Sequence, residues 1–192
     1  MNKCWYHLNL DNSFALLPNL RTHHGLVEHF NPTGPINLFT LLKEDLPTLV
    51  TNEWLDYMKS LDLELTQCLV FYRLPGAHHP FAHVDQPRTQ SKLGVTINWT
   101  LNDTDGAMIW YDATNSPGIQ QNEFNTQYVL WPEENLTEID RCIITNQPTL
   151  VRTDIPHNVF IGSKPRWAFS FRCSVRPGTW DENVQRVQSL II

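Results

Sequence analysis

The hydrophobic positions divide the chain near residue 64. Before that point the pattern is mixed. Residues 3–9 alternate and predict a short first strand. Residues 11–35 are interrupted by Pro18, Pro32, Gly34 and Pro35 and predict irregular chain. Leu38–Leu42 reads as one or two helical turns. Thr51 or Asn52 can cap a helix carrying Trp54, Leu55, Met58 and Leu61 at helical spacing, expected to pack on the outside of a sheet. Beyond Leu63 the pattern becomes that of strands. Leu65–Arg73 is a near-continuous apolar run closed by Pro75-Gly76, and Phe81–Asp85 follows. Lys92–Leu101 is rich in β-branched and aromatic residues. Asn102-Asp103-Thr104-Asp105-Gly106 is a turn signal whose Asp-Gly predicts a hairpin, with Ala107–Tyr111 as the return strand. A polar stretch over 113–125 comes next. Further strands are expected at 126–131, 138–145, 148–153, 156–161 and 166–175, then a short helix over Trp180–Leu190 capped by Asp181.

About eight short strands at close spacing predict a mainly β protein, a barrel or jelly roll with the preceding helix over one sheet. A chain of 192 residues is expected to form one domain. Its parts are an N-terminal strand and supporting helices (1–64), a β core (65–175) and a C-terminal extension (176–192). Thirteen Pro against eight Gly, with seven Trp, fits rigid turns between short strands better than a helix bundle. The net charge of −6 and the absence of any Lys/Arg run disfavour a nucleic-acid partner. Cys4, Cys68, Cys142 and Cys173 form no Cys-x-x-Cys pair, so buried reduced thiols are expected rather than a structural zinc site. No signal-peptide core or apolar run of membrane-spanning length is visible, which makes the cytoplasm the expected location.

The chemistry concentrates in two stretches. Phe81-Ala82-His83-Val84-Asp85 carries an imidazole and a carboxylate two positions apart, on one face of a strand. Pro156-His157-Asn158-Val159 supplies a second imidazole. Two His and one carboxylate form the donor set of non-haem Fe(II) oxygenases. A lone His-x-Asp is common on protein surfaces, and the later His and Arg166 give this one its weight. Arg166 lies nine residues past His157, and a hairpin between their strands would bring its guanidinium near the metal, matched to a carboxylate. The following Trp167-Ala168-Phe169-Ser170-Phe171 has little solvent-facing character, so Arg166 is expected inside. Arg172 shares its parity and belongs either to the same site or to the rim.

Together these stretches resemble a family. Tyr72-Arg73-Leu74-Pro75-Gly76 before His83-Val84-Asp85, Trp99-Thr100-Leu101-Asn102 before Asp105-Gly106-Ala107-Met108-Ile109, and Pro156-His157-Asn158-Val159 before Arg166-Trp167-Ala168 stand in the order seen in the Fe(II)- and 2-oxoglutarate-dependent dioxygenases, prolyl-hydroxylase-like branch. The resemblance covers about residues 65–175. It implies a double-stranded β-helix with flanking helices. It also implies Fe(II) held by His83, Asp85 and His157, and 2-oxoglutarate held by Arg166. Thr100 falls where the family often places a Tyr on the same carboxylate, with Asn98 on the same strand face. Ala107 replaces the second Gly of the family's turn. The implied reaction consumes O2 and 2-oxoglutarate, releases succinate and CO2, and hydroxylates an unactivated C–H of a small-molecule or peptide substrate, prolyl groups first among them.

Two other readings stand beside this one. A cupin-like metalloenzyme would normally show His-x-His and a Glu, and would leave Arg166 without a role. A non-catalytic binding barrel would be expected to have lost a ligand. His78 and His79 read as solvated loop residues or an entrance wall, and His23, His24 and His29 as surface residues. Trp99 and Trp110 read as barrel core, the commoner place for strand aromatics, or as a substrate wall. The loops at 86–91 and 113–125 are the candidate substrate lids.

Overall fold

The computed structural model describes residues 3–77, 81–84, 95–101, 105–113, 120–121, 127–132, 136–173 and 178–192. Among them, twelve strands and three α-helices succeed one another. They are β1 (Trp5–His7), α1 (His23–Phe30), β2 (Ile36–Leu42), α2 (Asn52–Ser60), β3 (Leu65–Arg73), β4 (Phe81–Val84), β5 (Thr96–Leu101) and β6 (Ala107–Ala113), followed by β7 (Gln120–Gln121), β8 (Gln127–Pro132), β9 (Leu136–Ile143), β10 (Thr149–Val151), β11 (His157–Phe160), β12 (Arg166–Cys173) and α3 (Trp180–Arg186). Two six-stranded sheets result, in the orders β1-β10-β5-β12-β3-β2 and β7-β8-β4-β11-β6-β9. Every named pairing is antiparallel. The protein is therefore mainly β, two antiparallel sheets packed as a sandwich with few helices.

The largest core lies outside the sandwich, between the first sheet and the helices. Along β12, Trp167, Phe169 and Phe171 all enter it, and Trp54 and Met58 of α2 meet them from the other side. The Trp54 and Phe171 rings lie 4.8 Å apart. Thr51 caps α2 as the sequence predicts: its hydroxyl oxygen accepts from the Trp54 N–H at 3.2 Å and donates to the Phe14 carbonyl at 2.9 Å. The first sheet's other face meets the second sheet. There Cys4, Met108, Trp110, Cys142, Ile144 and Val151 form a smaller core at one end.

Several expectations need correction. Leu38–Leu42 is not helical: Ile36–Leu42 pairs along its whole length with Gln67–Arg73, from Ile36 opposite Arg73 to Leu42 opposite Gln67. Only Phe39 and Leu41 of its apolar residues pack in the core, a period of two that so short a run hides. Residues 11–35 are not wholly irregular. Thr22 caps α1 by accepting from the Gly25 N–H, and Asn31 closes it in the left-handed region at φ 45°. The cap of α3 is Thr179, not Asp181, in a reciprocal box with Glu182. The expected β5–β6 hairpin does not form, since β5 pairs with β10 and β12 while β6 pairs with β9 and β11 in the other sheet. Residues 102–104 of that turn lie outside the described residues, as do 86–91 and most of 113–125. The Pro75-Gly76 turn does form. The Ala77 N–H donates to the Leu74 carbonyl at 3.0 Å, and Gly76 takes φ +72°, as a type II turn requires.

His23 is only half exposed. Its Nδ1 accepts from Trp167 Nε1 at 3.2 Å and its ring lies against Tyr72, whereas His24 and His29 are exposed. Trp99 stacks on Phe169 in the core under the helices, and Trp110 is fully buried between the sheets.

Trp54→Ala should cost about 3–5 kcal/mol, because the void sits between a helix and a sheet that cannot close on it. Thr51→Ala should cost about 1 kcal/mol. Urea denaturation of the two variants checks the order.

Candidate metal centre

His83 and His157 come from neighbouring strands of the second sheet. They are direct partners in the β4–β11 register, and their rings lie 4.6 Å apart at 51°. His157 is 3% exposed. Its Nδ1 lies 2.9 Å from the Ile155 carbonyl oxygen. A carbonyl can only accept, so Nδ1 carries the proton and Nε2 is the ring's acceptor nitrogen. A ring held in one tautomer by a backbone carbonyl is the usual support of a metal-bound His. Asp85, the expected third donor, lies outside the described residues, as do His78 and His79. Among the described residues no three His, Cys, Asp or Glu side chains converge. The two imidazoles alone fit a first-row transition metal by donor chemistry.

Both rings line one cavity between the sheets. Opposite them the first sheet presents alternate residues of its central strands. From β12 come Arg166, Ala168 and Ser170; from β3, Phe71 and Arg73; from β5, Asn98. Met108, Thr153 and Val159 complete the wall. Arg166 is 5% exposed. It reaches the cavity from the facing sheet and not through a β11–β12 hairpin: β11 belongs to the second sheet and β12 to the first. The predicted interior position is right and the predicted route to it is not. The Asn98 Oδ1 is buried and accepts no hydrogen bond among the described residues, which leaves a carboxamide facing the cavity with capacity to spare.

Two expected co-substrate residues do not line this cavity. Thr100 is buried on the same strand face as Asn98, but its hydroxyl donates to the Thr145 carbonyl at 2.8 Å. Arg172 is six positions beyond Arg166, about 20 Å along a strand, and its Nη1 donates to Thr96 Oγ1 at 3.1 Å. One cavity cation was absent from the sequence reading. Arg73 is the direct cross-strand partner of Arg166. Burial holds its pKa below the ordinary arginine value. Its signal in the sequence was parity: Phe71 and Arg73 share a face, and a charge ending an apolar run on an inward face is unusual.

The four cysteines form no disulfide and are buried, and none lines the cavity. Burial raises Cys4 to about 11 and Cys142 and Cys173 to about 12, and raises Cys68 further. Thiols so strongly held protonated are poor nucleophiles.

Three comparisons bear on this site. No family model matches the chain, and no curated protein does. Among solved structures it is similar to a Pseudomonas putida prolyl-4-hydroxylase, at 14% identity and a TM-score of 0.48, covering 91% of this chain and 95% of that one. It is also similar to peruvianin-I, a cysteine peptidase from Thevetia peruviana latex, at 16% identity and a TM-score of 0.35, over 93% and 92%. A third is Escherichia coli ycfD, at 11% identity and a TM-score of 0.36, over 91% of this chain and 43% of that one. Neighbours of such different chemistry at such scores carry no functional argument, which therefore rests on the site itself. No helix among the described residues is long and apolar enough to cross a membrane.

Two outcomes follow. His83→Ala and His157→Ala should each abolish stoichiometric Co(II) binding without unfolding the chain, as read by equilibrium dialysis with metal analysis and circular dichroism. Stability should be independent of the thiols below pH 9, their ordinary value, and should fall between about 9 and 12, because unfolded thiols ionise before the folded ones. Urea midpoints of the wild type and Cys68→Ala across that range test this; the variant should fall less.

Proposed function

We propose that this protein is an Fe(II)- and 2-oxoglutarate-dependent dioxygenase that hydroxylates an unactivated C–H of an amino-acid, peptide or other small-molecule substrate. One observation carries the reading: a directly paired His83–His157 couple on one sheet faces a buried Arg166 on the other, across one cavity. Histidines alone would suit many metals, and a buried arginine alone would suit many anions. The two facing each other suit an ion chelated by one end of a keto-diacid whose other end needs a cation.

The strand orders support a double-stranded β-helix. Taken as eight strands, β3–β6 and β9–β12 alternate between the sheets as β10-β5-β12-β3 and β4-β11-β6-β9. In this reading His83 and His157 would hold the iron together with Asp85, two positions after His83 in the sequence. Bound Fe(II), with 2-oxoglutarate and O2, supplies the oxidising equivalent for hydroxylation, with succinate and CO2 as co-products.

The chain's own residues do the rest. The Ile155 carbonyl holds the His157 proton on Nδ1, so that Nε2 would be the nitrogen to hold the metal. The Arg166 guanidinium binds the distal carboxylate through its planar fork. The Asn98 carboxamide adds a hydrogen bond to whatever lies beside it. Phe71, Met108, Val159 and Ala168 displace water from the walls, which strengthens each polar contact inside. Substrate screening starts with peptidyl and free prolyl groups, and nucleic acid has no part in the reading.

Anaerobic addition of Fe(II) and 2-oxoglutarate should give a metal-to-ligand charge-transfer band, and aerobic protein should release succinate slowly without substrate. Absence of the band removes the 2-oxoglutarate assignment. Arg166→Ala should weaken 2-oxoglutarate on the order of 10- to 100-fold, the loss of a charge-assisted bidentate contact, while Fe(II) affinity stays within about threefold. Asp85→Ala should lose Fe(II) altogether.

A further inference from the structure

Arg73 has no task in the reading above. It stands in direct register with Arg166 on one side and with Ile36 on the other, so the three form one row across β12, β3 and β2. The next row is Ala168, Phe71 and Leu38. Cross-strand partners project from the same face of a sheet, so both rows look toward the cavity side. The Arg73 Nη1 donates to the Val159 carbonyl at 3.4 Å, across the gap between the sheets. Among the described residues no carboxylate forms an ion pair with Arg73. Like charges in direct register repel, and a guanidinium with one long carbonyl contact keeps most of its donors unused. An anion resting on Arg73 would offset both costs.

The rows leave the cavity at an edge. β2 is the outer strand of its sheet. Its Phe39 and Leu41 pack into the helix-side core, while Ile36 and Leu38 on the opposite face are 42% and 54% exposed. A half-buried cation therefore sits at the inner end of an exposed apolar strip that continues through the half-buried Phe71. A ligand matching both parts carries a negative head and an apolar body.

We propose that this strip binds the primary substrate, a small molecule with a free carboxylate on an apolar body, its carboxylate on Arg73 and its body along Phe71, Leu38 and Ile36. A single planar guanidinium fork matches a carboxylate in shape and charge. Calling the ligand the substrate rests on the dioxygenase reading; the anion site itself does not.

Octanoate and uncharged 1-octanol are titrated into the 192-residue protein by calorimetry, with and without 2-oxoglutarate. Octanoate should bind at least about tenfold more tightly than octanol, and Arg73→Gln should remove that advantage while changing 2-oxoglutarate affinity by less than about threefold. Arg73→Lys should recover part of the octanoate affinity. Leu38→Glu, at an exposed position that does not support the core, should lose octanoate about tenfold with an unchanged melting midpoint. Equal binding of octanol, no octanoate binding by the wild type, or an Arg73→Gln variant that loses 2-oxoglutarate but keeps octanoate would each overturn the proposal. A concentration-dependent dimer abolished by Leu38→Glu would give the strip to a second copy of the chain and overturn it as well. If octanoate binds through Arg73 while 2-oxoglutarate does not bind the wild type, the anion site stands and the dioxygenase reading falls.

Discussion

The alternation along β12 is the constraint on which the rest of the molecule depends. This strand is central in its sheet and covered on both faces, so each side chain must satisfy one of two very different surroundings. Trp167, Phe169 and Phe171 go to the helix side, where Trp54 and Met58 cover them. Arg166, Ala168 and Ser170 go to the other face and line the cavity. A slip of one residue would exchange the sets, placing a guanidinium in the apolar core and an indole and two phenyl rings in the polar gap. The pairings of β12 with β3 and β5 hold that register along nearly its whole length.

Because the large core lies between sheet and helices, the gap between the sheets need not be filled everywhere. At one end it is packed by Met108, Trp110, Cys142 and Ile144. Toward the other it holds two imidazoles, two guanidiniums and a carboxamide. Stability and chemistry are thus served by opposite faces of the same strands. The chain carries a formal charge of −6, yet this cavity is cationic. Net charge governs long-range behaviour, whereas the placement of single groups governs what a buried site binds.

The sequence determined the strand-rich class, the capped helix α2, the turn at Pro75-Gly76 and the inward placement of Arg166. Each is written in local terms, as a period, a cap or a glycine at positive φ, and local physics is enough to read it. His83 and His157 were legible as candidates by residue type. The tertiary structure alone decided that they are direct partners, since seventy-odd intervening residues leave pairing to sheet topology. It alone set β5 and β6, and β11 and β12, into different sheets, because a turn signal states that the chain reverses and not which strand it will meet. It also decided that Thr100 spends its hydroxyl on the Thr145 carbonyl, that Arg172 lies too far along the strand, and that Arg73 stands opposite Arg166. A side chain's parity follows from its own strand, but its neighbours belong to strands distant in the chain, and only folding brings those together.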